Sequence, residues 1–516
     1  MKFKHPEYII VLIYLLVNVL MVFNNGVFID DWKYVNQTQE DLINCFRPEG
    51  WHYTGLWAIH GFICSLPNPM IWYRAITILL WSFSIVWFYR ILLTTSIYKP
   101  VAVALTLFVA VSPFNFMRFT ANTLPYSLSV FLFLGAYLIL LKKQGGNAGL
   151  NIMVSLMFMY AFITNSVLLF YPIVMLHLWV GMKFKIAPFL KKYYWLFIVP
   201  IVFLAIRFTL FVPVENSTST NYNVIEPSNV KLLPMKSLSL NYGYLLYFVQ
   251  QIKEYIWLFI VITGFSGIIL WFSKPAFLTQ KTGVVAALRY ALFGVVLFVL
   301  AITPYILVNK FPEFKGWETR HQLLIPFGYA FLMAALLFIQ NNSTIRIAVL
   351  SLICGVFLTA HTSQMIMYYK GWFKYEVIES YFRNHPRGEA NTLILNDDDL
   401  CSNATDRKIS YMEVTGMYKK ATGKQDLYIV GKNQKDFTKA QLQEWIDVRR
   451  RAKLLGPFNM LNFKTVDGIG TFNIKCARQI ETGDLFGFVK NYYQNDNTYF
   501  DKTYGDYLEI SIGKTL

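Results

Sequence analysis

The chain has 516 residues, of which 55% are hydrophobic, 17% aromatic and 15% charged. Soluble domains carry close to a quarter charged residues, and repeated long apolar runs mark membrane spans, so an ordinary soluble protein is excluded. Lys and Arg outnumber Asp and Glu by 47 to 30, a net charge of +17. In a membrane protein such an excess keeps cytoplasmic loops inside, and it also suits anionic headgroups or phosphate-bearing substrates. No basic stretch interleaved with aromatics lies in a soluble segment, so nucleic acid is not an expected partner.

The start, Met1-Lys2-Phe3-Lys4-His5, is basic and precedes an apolar run from about Tyr8 to Phe23. No small-residue cleavage site follows, so it reads as an uncleaved anchor with a cytoplasmic amino terminus. The chain then emerges on the outer face as Val27-Phe28-Ile29-Asp30-Asp31-Trp32. Trp at headgroup level is ordinary, but two adjacent carboxylates at a cavity mouth suggest negative charge or a general base. The other reading of Asp30-Asp31 is a solvated helix end with a capping role. Residues 25–69 form a long first outer loop, in which Trp51 to Leu66 reads as an interfacial helix bearing His52 and His60.

Further spans are expected at about 70–93, 100–116 and 125–141, the last ending inside at Lys142-Lys143. The apolar stretch 151–181 is too long for one crossing of a hydrocarbon core of about 30 Å. The lysines at 183, 185, 191 and 192 should lie inside, so the charges require two crossings here, with a break at Thr164-Asn165-Ser166. Spans at about 194–212, 255–273, 287–309, 322–340 and 345–366 bring the total to about eleven, with an amphipathic segment at 238–253 along the interface. The expected fold is therefore mainly α, a polytopic helical membrane domain over 1–366 followed by a small extracytoplasmic α/β domain over 367–516. In that tail Thr392–Leu395 and Leu427–Val430 read as strands, and 439–455 as helical. Asn396-Asp397-Asp398-Asp399 reads as a solvated turn rather than a calcium loop, because no Glu follows at the required spacing.

Five cysteines show no metal spacing; Cys401 and Cys476 fall in the tail, where pairing would need an oxidising compartment. Asn36-Gln37-Thr38, Asn216-Ser217-Thr218 and Asn403-Ala404-Thr405 match glycosylation acceptors, a pattern frequent by chance.

Under this topology Asp30, Asp31, His52, Arg74, Arg118, Glu318, Arg320 and His321 all fall at outer helix ends or in outer loops. Ionisable groups at such depth usually face a cavity or one another. Arg74 and Arg118 read either as headgroup snorkellers or as anion ligands, and Gly316–His321 either as a salt-bridged loop closure or as an anion site. Guanidinium presents a planar fork suited to phosphate, and a nearby carboxylate suits proton removal from a hydroxyl. No span carries Asp or Glu at its centre, which argues against ion-coupled transport.

The order of these features resembles the GT-C superfamily of membrane glycosyltransferases that use polyprenyl-phosphate-linked sugars. The similarity lies in a first span ending in Asp30-Asp31-Trp32 and a long first outer loop. It continues with Pro69-Met70-Ile71-Trp72-Tyr73-Arg74 opening the second span, Val111-Ser112-Pro113-Phe114 closing the third, and Thr319-Arg320-His321 with Pro326 opening a late one. It covers residues 1–366. The resemblance implies transfer at the outer face of the plasma or inner membrane, with Asp30 or Asp31 as general base on a glycan, lipid or protein acceptor. It implies that Arg320, His321, Arg118 and Arg74 bind the donor phosphate, and that Trp32, His52 and Glu318 line the acceptor side. Relatives often carry an acidic residue where this chain has Thr164-Asn165-Ser166, so neither a metal nor another cofactor is expected. Other readings are a ligase moving whole glycans or phospho-groups, and a non-enzymatic flippase or carrier of lipid-linked glycans.

Overall fold

The computed structural model describes residues 5–35, 37–47, 50–95, 97–143, 147–212, 224–273, 275, 278, 283–314, 316–385, 390–397, 407–424, 426–451 and 465–514. The three glycosylation motifs, Asp398, Asp399 and Cys401 lie wholly or partly outside them. The architecture is mainly helical, with one small sheet at the carboxyl-terminal end. Proline stands in the first turn of Pro6–Val22, Pro69–Leu92, Lys99–Ala110 and Tyr171–Gly181, where its missing N–H costs nothing and its φ is already helical.

Every segment expected to cross the membrane contains a helix, but fewer than eleven of these helices are long enough. Among the described residues six helices have the length and apolarity to span: Pro69–Leu92, Ala121–Lys142, Ile186–Thr209, Ile256–Ser273, Val284–Leu307 and Ser343–Asn384. A seventh is added if Gly316–Gln322 and Ile325–Phe338, bent by 68°, form one broken span. Pro6–Val22, Lys99–Ala110, Ala148–Ala161 and Asn165–Gly181 are apolar but shorter. Hydrophobicity alone did not reveal this, because the apolar runs continue into 3-10 turns and loops that add no helical length. The expected break at residues 164–166 is present, between Ala148–Ala161 and Asn165–Leu168.

The helices Val284–Leu307 and Ile325–Phe338 cross at glycines. A Cβ on Gly328 would sit 2.7 Å from the Phe298 nitrogen, and one on Gly294 would sit 3.0 Å from the Gly328 carbonyl oxygen. Small residues of this kind let membrane helices approach backbone to backbone.

The last membrane helix does not stop where the composition changes. Ser343–Asn384 is one helix of 42 residues, opened by the Asn342 side chain accepting the Thr344 N–H at 2.8 Å. At 1.5 Å per residue it is roughly 63 Å long, twice the hydrocarbon core. The expected domain boundary at 366/367 therefore falls inside this helix, whose final turns enter the core of the carboxyl-terminal domain. There Phe373 stacks on Phe488 with centroids 4.6 Å apart, and Phe382 on Phe472 at 5.0 Å.

That domain holds a four-stranded sheet in the order β2-β1-β3-β4, with β1 Thr392–Asp397, β2 Tyr428–Val430, β3 Ile469–Cys476 and β4 Leu508–Lys514. β1 pairs in parallel with β2 and β3, through the connecting helices Tyr411–Thr422 and Lys439–Arg451, and β3 pairs antiparallel with β4. Asp397 departs from the expected solvated turn. It is buried, with one carboxylate oxygen accepting the Ile409 N–H at 3.1 Å and the other 4.0 Å from Lys374 Nζ. Cys476 is disulfide-bonded.

Replacing Gly328 by Ala should destabilise the protein by about 1–3 kcal/mol, because the new methyl meets backbone rather than a side chain that can move. Gly264→Ala, whose Cβ would have no neighbour within 4 Å, should be neutral or gain up to about 1 kcal/mol of helix propensity. Thermal unfolding of the two variants in detergent tests this, and equal Tm values would contradict the close crossing.

Candidate functional site

Asp30 and Asp31 lie on a short 3-10 turn, Ile29–Lys33, and are not equivalent. Asp31 is fully buried. Its Oδ1 accepts the Asn122 N–H at 3.0 Å and its Oδ2 the Phe28 N–H at 3.4 Å, so this carboxyl closes its own turn and ties it to the loop 121–123. Burial pushes its pKa up to about 7, against the opposing pull of the Asn122 and Ala121 amides and the Arg74 charge. Asp30 is partly exposed, its carboxylate 3.5 Å from Lys33 Nζ. Adjacent residues on a 3-10 turn point about a third of a turn apart, so one aspartate faces the interior and the other the rim.

The carboxyl-terminal domain completes this turn. Glu413 is fully buried and accepts four donors: the Ile29 N–H at 2.8 Å, the Tyr375 hydroxyl at 2.7 Å, the Ser410 N–H at 2.8 Å and Arg407 Nη2 at 2.5 Å. The pKa of Arg407 is raised: burial works against its charge, but Glu413 outweighs it and Asp30 adds to the effect. Trp32 is buried against Gly416, where a Cβ would come within 2.4 Å of the indole. Neither Glu413 nor Arg407 was expected as a site residue. The signal for Glu413 was legible as Ser410-Tyr411-Met412-Glu413, a capping box whose serine hydroxyl accepts the Glu413 N–H. Its contact with the first loop was not.

The arginines divide. Arg74 is fully buried at the start of Pro69–Leu92 and donates to the Gly26 carbonyl at 2.7 Å, with its charge over the Phe28 ring; its Nε and Nη1 have no hydrogen-bond partner among the described residues. Arg118 is held inside by the Phe114 carbonyl and Asn18 side chain, each at 3.2 Å, and lies over Tyr14, Trp81 and Phe119. Both are packed within the protein, not snorkelling to headgroups. His52 sits on a separate turn, Trp51–Thr54, with its ring 3.9 Å from that of Tyr53. His60, on the helix Leu56–Cys64, is buried and contacts the Tyr73 hydroxyl at 2.7 Å through Nδ1.

The basic turn Gly316–Gln322 gathers the remaining residues. Arg320 Nε donates to His321 Nε2 at 3.1 Å, and its guanidinium lies 4.2 Å over Trp317. The Glu318 carboxylate approaches His321 Nδ1 to 2.6 Å on the other side of the ring. Tyr305 packs on His321 with centroids 4.6 Å apart and reaches the Ser166 hydroxyl at 3.1 Å, which brings the 164–166 break to this cluster. The loop before residue 123 links the two clusters: Asn115 N–H donates to Gln322 at 3.0 Å, and Asn122 N–H to Asp31.

A cavity of about 430 Å³ lies between the membrane helices. Val167, Phe170, Leu324 and Phe327 line one end, next in sequence to Ser166 and the basic turn, while Arg289 stands in its wall near the opposite end of Val284–Leu307. Its lining is otherwise almost wholly apolar. Among the described residues no three His, Cys, Asp or Glu side chains converge as a metal site. No family model and no curated protein matches this chain.

Asp31 yields a pH test. Its carboxyl titrates near 7 in the fold and near 3.9 when unfolded, so the folded state binds the extra proton between these values. The stabilisation is present in full below about pH 4 and is lost as pH rises through 7. Asp31→Asn, which keeps an uncharged side chain at every pH, should flatten the fall in Tm between pH 5 and 8 relative to the unaltered protein. Parallel Tm profiles would show that Asp31 is ionised throughout.

Proposed function

We propose that the protein is an integral-membrane glycosyltransferase of the GT-C kind. It transfers a sugar, with inversion, from a polyprenyl-phosphate donor to a glycan, lipid or protein acceptor at the outer face. The observation that supports this best is the apolar cavity, whose lining includes Leu324, two residues beyond the Gly316–Gln322 turn, and Val167, next to Ser166. A polyprenyl phosphate is a long apolar chain with an anionic end; the apolar cavity suits the chain, and the Arg320-His321 turn a few residues before Leu324 suits the phosphate. The tail lies in the cavity and the phosphate meets Arg320, with His321 held in place by Glu318.

Asp30 is the base in this reading, since it reaches the rim, while Asp31 holds the turn. The acceptor hydroxyl gives its proton to the Asp30 carboxylate as its oxygen attacks the anomeric carbon. The bond from that carbon to the phosphate oxygen breaks, and the leaving charge falls on the phosphate, where Arg320 stabilises it. Arg74 and Arg118 support the site from within, without touching the donor. Trp32 anchors the turn, and His52 belongs to a separate part of the acceptor-side loop. The four shorter apolar helices cross together with the turns that flank them, which restores eleven crossings, a cytoplasmic amino terminus and an extracytoplasmic carboxyl-terminal domain.

The test uses purified protein in liposomes with a panel of polyprenyl-phosphate-linked sugars, following release of polyprenyl phosphate. Asp30→Asn should slow release by about 10²–10⁴-fold, the usual worth of a general base. Arg320→Ala should slow it as well, and Phe327→Trp, which narrows the cavity, should raise the donor KM. Donor binding without any release of polyprenyl phosphate would identify a carrier instead, and Asp30→Asn at full rate would remove the proposed base.

A further inference from the structure

Ile29 has φ of +54°, a left-handed backbone that a β-branched residue reaches only against steric repulsion. Such a conformation persists only where the surroundings over-determine it. Its N–H donates to the Glu413 carboxylate, a group 384 positions later in the chain and fixed in turn by Tyr375, Ser410 and Arg407. One helical turn beyond Glu413, Gly416 admits the Trp32 indole, so the turn is gripped at both ends by the same exported helix, Tyr411–Thr422. That helix is anchored to the long membrane helix by Lys420, which lies 3.2 Å from Glu376 and 2.9 Å from Glu379. The directions in which Asp30 and Asp31 leave the backbone follow from the Ile29 dihedral that precedes them.

We infer that Glu413 is a positioning residue: through it the exported domain holds Ile29 left-handed, keeps Asp31 seated on the Asn122 N–H and directs Asp30 toward the rim. Withdrawal of Tyr411–Thr422 frees Ile29 to return to extended backbone, which turns both aspartates away together. The clamp stands on geometry alone; only its effect on sugar transfer rests on the function proposed above.

Hydrogen–deuterium exchange on the full-length protein in nanodiscs tests it without any substrate. Glu413→Ala should speed exchange of the amides of residues 29–35 at least ten-fold while leaving β1 and β3 unchanged, and Glu413→Gln, which keeps an acceptor, should fall between. Gly416→Ala, which pushes on Trp32 from the same helix, should give the same selective acceleration and serves if Glu413→Ala does not fold. In an Ile29→Gly background, where the left-handed backbone is no longer strained, Glu413→Ala should change exchange by less than about three-fold. Unchanged exchange at 29–35 in both single variants, equal acceleration throughout the exported domain, or a full ten-fold effect in the glycine background would each overturn the inference. The selective acceleration in a protein that never releases polyprenyl phosphate would instead leave the clamp standing and remove the glycosyltransferase reading.

Discussion

A buried carboxylate is costly unless nearly every lone pair is taken up, and Glu413 meets that condition only because three distant parts of the chain converge on it. The first loop brings the Ile29 N–H, the long helix brings the Tyr375 hydroxyl, and the carboxyl-terminal domain brings Ser410 and Arg407. Remove any one of these and a charge is left poorly compensated in the interior. The interaction therefore joins the apolar helices to the carboxyl-terminal domain at the place where the two aspartates lie. The aromatic stacking of Phe373 and Phe382 adds area to the junction, but it has no comparable demand on geometry.

The charges around this junction fall into two groups with different work. Asp31, Arg74 and Arg118 are buried among amides, carbonyls and rings, and they fix the positions of loops. Asp30, Lys33, Arg407 and Glu318 keep partial contact with solvent. In the proposed reaction a carboxylate must meet an acceptor, and only the second group keeps the exposure that this requires. Position at the end of an apolar run does not separate the groups, since Asp30, Asp31, Arg74, Arg118 and Glu318 all flank such runs.

Membrane character, helix positions and the change to an α/β tail were legible because they rest on local properties: apolar run length, charge excess, proline in first turns and alternation in strands. The span count was less legible, since hydropathy does not distinguish a 12-residue helix followed by a 3-10 turn from a full crossing; Lys99–Ala110 is the plain case. The reach of Ser343–Asn384 beyond the membrane was hidden for a related reason. Its polar last turns look like a domain boundary, although their burial is supplied by a domain that follows them in sequence.

At the site, sequence alone singled out Asp30-Asp31 and Arg320-His321, because adjacent charges at helix ends are unusual enough to be seen without a partner. It could not separate Asp30 from Asp31, since the difference is which side of a 3-10 turn each occupies, and that turn is set by a left-handed residue it had no reason to suspect. Nor could it bring in Glu413 and Arg407, which lie nearly 400 residues away. Local propensities write the helices and strands into the sequence; the pairing of a buried carboxylate with donors from three segments exists only once the chain has closed on itself.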